Sequence, residues 1–322
     1  MVTRRAAGTP ESFAALFGTI ADNVARVVQG KPDVIELTLL CLVAEGHLLI
    51  EDVPGVGKTS LAKAVAASLD CQWTRIQFTP DLLPSDVVGV TIWNRATNEF
   101  EFRPGAVFAN LVLGDEINRA SPKTQSALLE AMEERQVTVD GNTRLLPPPF
   151  MVMATQNPVE HEGTYPLPES QLDRFLMRLS IGYPQREAEL EILETHGGST
   201  PIDDLKPVAS IDEVTAMAAW AREIHVAPAL KGYLVDVAEM TRRHPALALG
   251  MSPRATLALQ RAARARAAAS GREYVVPDDI KALAPAVLPH RLVPTPEASM
   301  QGLDTAEVVD DVLRHVPVPR GR

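Results

Sequence analysis

The sequence predicts an α/β fold in two parts: a five-stranded parallel sheet covered by helices over residues 1–184, then a smaller all-α domain over 185–322. Three observations predict it. Five short apolar runs alternate with helical patterns in the first part, the order expected of a parallel sheet covered on both faces. The strand signal stops after Tyr183-Pro184. The chain has 322 residues, 46% of them hydrophobic and 22% charged, which is the length and composition of a two-domain globular protein.

In chain order, Glu11–Val28 spaces Phe13, Leu16, Phe17, Ile20, Val24 and Val27 as one face of a helix, and Gly30 closes it. Pro32 suits the start of a second helix, about Asp33–Glu45, with Ile35, Leu39 and Leu42 inward. The strand runs are His47–Glu51, Gln72–Phe78, Leu111–Asp115, Phe150–Thr155 and Leu176–Ile181, with helices at Thr59–Leu69 and Pro122–Glu134 between them. Right-handed crossovers should join them. Two β-hairpins are expected between these elements. One lies within Asp86–Phe102 and turns at Asn98; the other spans Val137–Leu146 and turns at Asp140-Gly141-Asn142. Gly197–Ser210 reads as a loop. Helices follow at about Ile211–Ile224, Pro228–Arg243, Pro253–Ser270, Pro277–Leu288 and Thr305–His315. The arginines of Arg261–Ala269 read as a solvated face.

Charge and cysteine content exclude several classes. Acidic residues outnumber basic ones 41 to 31, for a net charge of −10. That argues against a protein that coats nucleic acid, whose affinity comes from neutralising phosphates. Cys41 and Cys71 form neither a CxxC pair nor a disulfide framework, so a cytoplasmic setting is expected. Arg4 and Arg5 are followed by no unbroken apolar stretch, so no signal peptide is expected. No apolar run of ~20 residues is present to span a membrane.

The chemistry is written at strand ends. Val53-Pro54-Gly55-Val56-Gly57-Lys58-Thr59 follows the first strand and opens a helix, the context of a phosphate-binding loop. Its backbone N–H groups and the helix N-terminus favour phosphate oxygens. Lys58 would reach the β- and γ-phosphates, and Thr59, followed by Ser60, would ligate Mg²⁺. Asp52 departs from the pattern: it stands where the first glycine of GxxxxGK[ST] belongs, and a carboxylate there must point away or pair with a cation. Leu111–Glu116 is an apolar strand ending in two acids, Asp115 to hold the metal and Glu116 to polarise the attacking water. Ala154–Pro158 ends the next strand with Asn157, placed to contact the water or the γ-phosphate. All of these lie at carboxyl ends of strands, where ligands of open α/β sheets bind.

His47–Ala66, Phe102–Met132 and Glu162–Leu179, with the closing VPVP near Pro317–Pro319, resemble the MoxR family of AAA+ ATPases. The resemblance implies sheet order 5-1-4-3-2, a helical lid, ATP with Mg²⁺, and assembly into rings, commonly hexameric. It implies that Arg174, in LDRF, is the finger donated to a neighbour's γ-phosphate, with Arg178 one turn on as the rival. Arg254, in MSPRA, matches the lid arginine that reads the γ-phosphate in cis, so that its release would change the angle between the domains. Val28-Gln29-Gly30 matches the segment beside adenine. The 79–104 region matches an insert at the ring surface or pore, and both hairpins are candidate partner contacts. The family's role is chaperone-like activation of protein complexes, often with a partner carrying a von Willebrand factor A domain. Two other functions stay open at this point: a nucleic-acid motor, and a nucleotide-gated scaffold with little turnover. His161-Glu162 lacks the second histidine of a zinc helix, since Tyr165 stands there.

Overall fold

The computed structural model describes residues 9–157, 163–195, 202 and 204–319. The first eight residues, Pro158, His161-Glu162 and most of 196–203, on which readings above were made, lie outside the described residues.

Thr9 caps α1 (Pro10–Ala25) by accepting from the Ser12 amide, and α2 (Pro32–Val43) follows. Next come β1 (Leu48–Glu51), α3 (Lys58–Ser68), β2 (Trp73–Gln77) and the short α4 (Pro84–Val88). A hairpin of β3 (Gly89–Asn94) and β4 (Glu99–Pro104) precedes β5 (Leu111–Asp115) and α5 (Pro122–Glu134). A second hairpin, β6 (Gln136–Val139) with β7 (Asn142–Leu145), leads to β8 (Met151–Gln156), α6 (Glu169–Leu172) and β9 (Met177–Leu179). The helical part holds α7 (Arg186–Thr195), α8 (Ile211–Glu223), α9 (Pro228–Arg243), β10 (Leu247–Leu249), α10 (Pro253–Ala269), α11 (Pro277–Val287), β11 (Val293–Pro294), α12 (Pro296–Met300) and α13 (Thr305–His315). Proline opens α1, α2, α5, α9, α10 and α11, where its missing N–H costs no intrahelical bond. The hairpin turns behave as their residues dictate. Asp140 and Gly141 both have positive φ, as a tight two-residue turn requires, and Asn98 adopts φ 59° before β4.

The main sheet runs β2-β5-β8-β1-β9, every pair parallel. Counted along the chain, that is the order 5-1-4-3-2. Its faces separate by residue parity. Leu48, Ile50, Leu111, Leu113, Met151 and Met153 join one apolar cluster with α1, α2 and α3. Leu49, Val112, Val152 and Ala154 join another with Leu128, Leu129 and Met132 of α5.

The first cluster is continuous with the interior of the helical part, including Leu259, Ala262 and Ala263 of α10 and Ile280 and Leu283 of α11. α10 packs against α1 and α2, and α8 against α2. The helical part also carries one short antiparallel pair, β10 with β11, too brief to leave a strand pattern in the sequence. Arg291 seals the junction. Its Nε donates to Asp173 Oδ1 at 2.7 Å and its Nη2 to the Phe175 carbonyl at 2.7 Å. Burial lowers the Arg291 pKa, and Asp173 opposes that shift. His290 contacts the Phe175 carbonyl from the same turn at 3.0 Å.

Candidate nucleotide site and its arginine counterpart

Residues 52–57 join β1 to α3 as a loop whose backbone needs its glycines. Gly55 has φ 87° and Gly57, the residue capping α3, has φ 95°. A Cβ at either position would meet no atom within 4 Å, so conformation rather than space requires glycine there. Asp52 turns away from the loop's concave side. Its Oδ2 accepts from Ser180 Oγ (2.9 Å), Ile181 N (2.7 Å) and Gly182 N (2.6 Å), and its Oδ1 from Val53 N (2.9 Å). Burial raises its pKa, but those four donors outweigh burial and the net shift is downward. The glycine that the sequence lacks is thus replaced by a carboxylate tying the loop to the end of β9. Lys58 Nζ donates to the Asp52 carbonyl at 2.7 Å. Partial burial lowers the lysine's pKa against the pull of Asp115, Asp52 and Glu116.

Across a cleft of ≈ 410 Å³ stand Asp115, Glu116 and Asn157, with Pro54, Gly55, Gly57, Lys58, Thr59 and Ser60 on the loop side. Thr155 Oγ1 donates to Asp115 Oδ1 at 2.6 Å and accepts from the Glu116 amide at 2.9 Å. Glu116 sits in the left-handed region, φ 59°, which turns its side chain off the strand. Its Oε2 accepts from Gln77 Nε2 at 2.8 Å and lies 3.3 Å from Arg119 Nε. Arg75 on β2 donates twice to Asp115 Oδ2, at 2.7 Å and 3.2 Å, and once to Gln77 Oε1 at 2.9 Å.

A neighbouring cleft of ≈ 430 Å³ is lined by Val27, Val28, Gln29, Gly55, Val56, Ser60, Tyr183 and Pro184, among others. The side-chain oxygen of Gln29 is buried there without a hydrogen-bond partner. Gly30, at φ 69°, lies against Ala188 so closely that a Cβ would sit 2.6 Å from the alanine's. Lys31 holds the facing wall through the carbonyls of Ile181 and Tyr183.

Arg174 and Arg254 are at the other edge of the sheet. α5 returns antiparallel to the strands. His47, which leads into β1, contacts the Met132 carbonyl near its C-terminus, and Arg135 pairs with Glu45. Glu133 therefore lies at the strands' amino ends, opposite the phosphate loop. It pairs with both arginines, Arg174 Nη1 at 2.9 Å and Arg254 Nη1 at 2.9 Å. Asp173 lies 3.6 Å from Arg254 Nε. Arg254, Arg261, Arg264, Arg291 and Arg174 share one cavity of ≈ 590 Å³ with Glu133 and Asp173.

This corrects the expected reading of Arg254. In this arrangement it does not face its own subunit's γ-phosphate, because α10 packs beside α1 and α2 and its first turn ends up at the strands' amino edge. Arg178 is separated from Arg174. It lies on β9 and pairs with Glu51 at 3.2 Å, next to the start of the phosphate loop.

Residues 47–177 match the ATPase family associated with various cellular activities (AAA), and residues 239–312 match the AAA lid domain. The chain is 51% identical over 309 residues to YeaC, an uncharacterised protein of Bacillus subtilis (strain 168), covering 96% of this chain and 97% of that one. It is 43% identical to Chaperone MoxR1 of Mycobacterium tuberculosis, covering 92% of this chain and 81% of the relative. The chain belongs to the MoxR family of AAA+ ATPases. A crystal structure of a candidate ATPase from Cytophaga hutchinsonii superposes with a TM-score of 0.90 at 38% identity, covering 97% of each chain.

ATP hydrolysis is the activity of this MoxR-family chain, and the cleft suits its nucleotide. Among the described residues, no group of three or more His, Cys, Asp or Glu side chains could hold a metal by itself. Mg²⁺ is ordinarily bound by one or two protein oxygens together with phosphates, and the Thr59 hydroxyl and Asp115 carboxylate supply that number. Asp115 Oδ2 already faces a cation, the Arg75 guanidinium. The donor set therefore fits a magnesium ion arriving with nucleotide. Thr155, Arg75 and Gln77 were missed by the sequence reading. The alternation in Trp73–Phe78, with Ile76 and Phe78 buried and Arg75 and Gln77 exposed, places two polar side chains on an edge strand beside the acidic one, and that was the available signal. Among the described residues, no helix is long and apolar enough to cross a membrane.

Proposed function

We propose that this chain is a Mg²⁺-dependent ATPase that works as a head-to-tail ring, the family's common hexamer, and remodels a client protein complex in the cytoplasm. The observation that carries the reading is the division of charge across the sheet. The phosphate loop and the acids lie at the strands' carboxyl edge, and an arginine-rich cavity lies at the amino edge. A heterologous contact joins two different faces and closes into a ring when the rotation allows, bringing Arg174 and Arg254 of one copy to the cleft of the next.

In that assembly Gln29 and Gly30 border the base, residues 53–60 wrap the phosphates, and Lys58 offsets their charge. Thr59 and Asp115 hold the metal, which supplies Lewis-acid neutralisation of the phosphate oxygens. Glu116 polarises the water, Asn157 orients it or the γ-phosphate, and Arg174 completes the charge from the neighbour. The working boundary falls after Pro184. Trp93 and Phe100, 47% and 74% exposed and in edge-on contact at 5.0 Å, offer a client an apolar tip on the β3–β4 hairpin. The von Willebrand factor A partner is carried by the family resemblance alone.

Mixing inactive variants tests the ring. Lys58→Ala keeps the arginine edge and loses the cleft; Arg174→Ala does the reverse. Turnover that returns on mixing supports a shared site, and a mixture as inactive as its parts rejects it.

A further inference from the structure

The backbone that leaves β9 is gripped from two sides before it enters α7. Ile181, Gly182, Tyr183 and Pro184 form a strap along the ≈ 430 Å³ cleft, which they share with Val28 and Gln29. Gly182 has φ 64°, and a left-handed residue lets successive N–H groups converge on one anion. The N–H groups of Ile181 and Gly182 do so on Asp52 Oδ2, at 2.7 Å and 2.6 Å, and the Ser180 hydroxyl adds a third donor at 2.9 Å. The protein's own carboxylate thus fills this nest. Two carbonyls of the same strap turn to a cation instead: Lys31 Nζ donates to the oxygens of Ile181 and Tyr183. Lys31 stands at the N-cap of α2, next to Gly30, whose contact with Ala188 of α7 leaves no room for a Cβ. Neither Asp52 nor Lys31 lines the ≈ 410 Å³ cleft that holds Lys58, Thr59 and the acids.

We propose that Asp52 and Lys31 are positioning residues for the adenine base, which together hold the 181–184 strap at the separation from Val28 and Gln29 that a purine ring needs. The phosphate loop takes its shape from its own glycines. The base cleft has no such local source of shape, because its walls come from segments 150 residues apart. A flat ring gains from burial between two walls only when their spacing is set beforehand. Without the two charges the strap would be free to move with α7, which starts at Arg186, two residues past Pro184. Asp52 also accepts from the Val53 amide, so the residue that replaces the first glycine ties the phosphate loop to the wall of the base cleft. The inference rests on the reading of the two clefts as the phosphate and base halves of one nucleotide site, and the test separates the two.

ADP and inorganic tripolyphosphate, each with Mg²⁺, serve as probes and are titrated into the full chain by calorimetry. A parent chain that binds neither removes the nucleotide site, and the proposal with it. Given binding, Lys31→Met keeps the stem and loses the donor, and should weaken ADP by about tenfold, the scale of a lost charge-assisted hydrogen bond, while tripolyphosphate binds as before. Asp52→Asn should weaken ADP at least as much and again spare tripolyphosphate, since its amide N–H₂ cannot accept from the strap. Lys31→Arg should recover most of the loss, because a guanidinium can still reach two carbonyls. In turnover, Lys31→Met and Asp52→Asn should raise the KM for ATP more than they lower kcat. Thermal unfolding establishes that each variant is folded at the titration temperature. Lys31 is only partly buried, so its variants carry the test if Asp52→Asn is not. Equal weakening of ADP and tripolyphosphate in either variant would overturn the proposal, by making that residue a support of the phosphate loop, and so would ADP binding unchanged from the parent.

Discussion

The two edges of the sheet are built differently. At the carboxyl edge the phosphate loop itself takes its shape from short-range geometry: a strand, two glycines with positive φ, and a helix that starts at Lys58. At the amino edge the arginines are held by side chains far away in the chain. Glu133 meets Arg254 across 121 residues, and Asp173 meets Arg291 across 118. A site of the first kind survives in any copy that folds. A site of the second kind depends on how the helical part sits against the sheet, and is the place where assembly and conformation can be sensed.

Substitutions sharpen this contrast. Arg174→Ala should have the largest effect, lowering kcat by about a thousandfold while isolated copies bind nucleotide as before; steady-state turnover and equilibrium titration with a fluorescent ATP analogue check the two halves. If affinity in isolated copies falls as much as kcat, the edges are not functionally distinct. Lys58→Ala should instead weaken binding in the same titration by about a hundredfold, since a charge-assisted contact to phosphate is lost in every copy.

Asp52→Asn should cost about 2 kcal/mol of stability, because a buried acceptor of four hydrogen bonds loses its charge, with denaturant unfolding as the measure. The Asp52 carboxyl is held below its ordinary value in the fold. Its contribution is therefore present above the unfolded-chain pKa of about 3.9 and is lost as pH falls through the lower folded value. The deficit of the variant should narrow below about pH 4. Glu133→Gln should do least: both of its arginines are partly exposed, so stability should change by less than about 1 kcal/mol. Turnover should drop only a few fold as the guanidiniums lose their common anchor.

The contrast also explains what was legible in the sequence. That Lys58, Thr59, Asp115 and Glu116 share one cleft was legible because strand, loop and helix follow one another along the chain. The two hairpins were found because Asn98 and Asp140-Gly141 tolerate left-handed backbone. The destination of Asp52 was not legible, since its acceptor role is defined by residues 180–182, on a strand that only the folded sheet sets beside β1. Arg254 was found through family resemblance but placed at the wrong edge, because nothing local fixes how α10 lies on α1 and α2. Arg75 and Gln77 escaped notice because strand pairing, rather than spacing along the chain, brings them to the acids.

The grip of Arg291 on the turn at 173–176 has a mechanical meaning. Arg174 lies inside that turn, flanked by Asp173 and Phe175, both of which the arginine's guanidinium holds. Tilting the C-terminal bundle would drag Arg174 with it, and in the proposed ring that motion would carry one subunit's posture to its neighbour's cleft before its own.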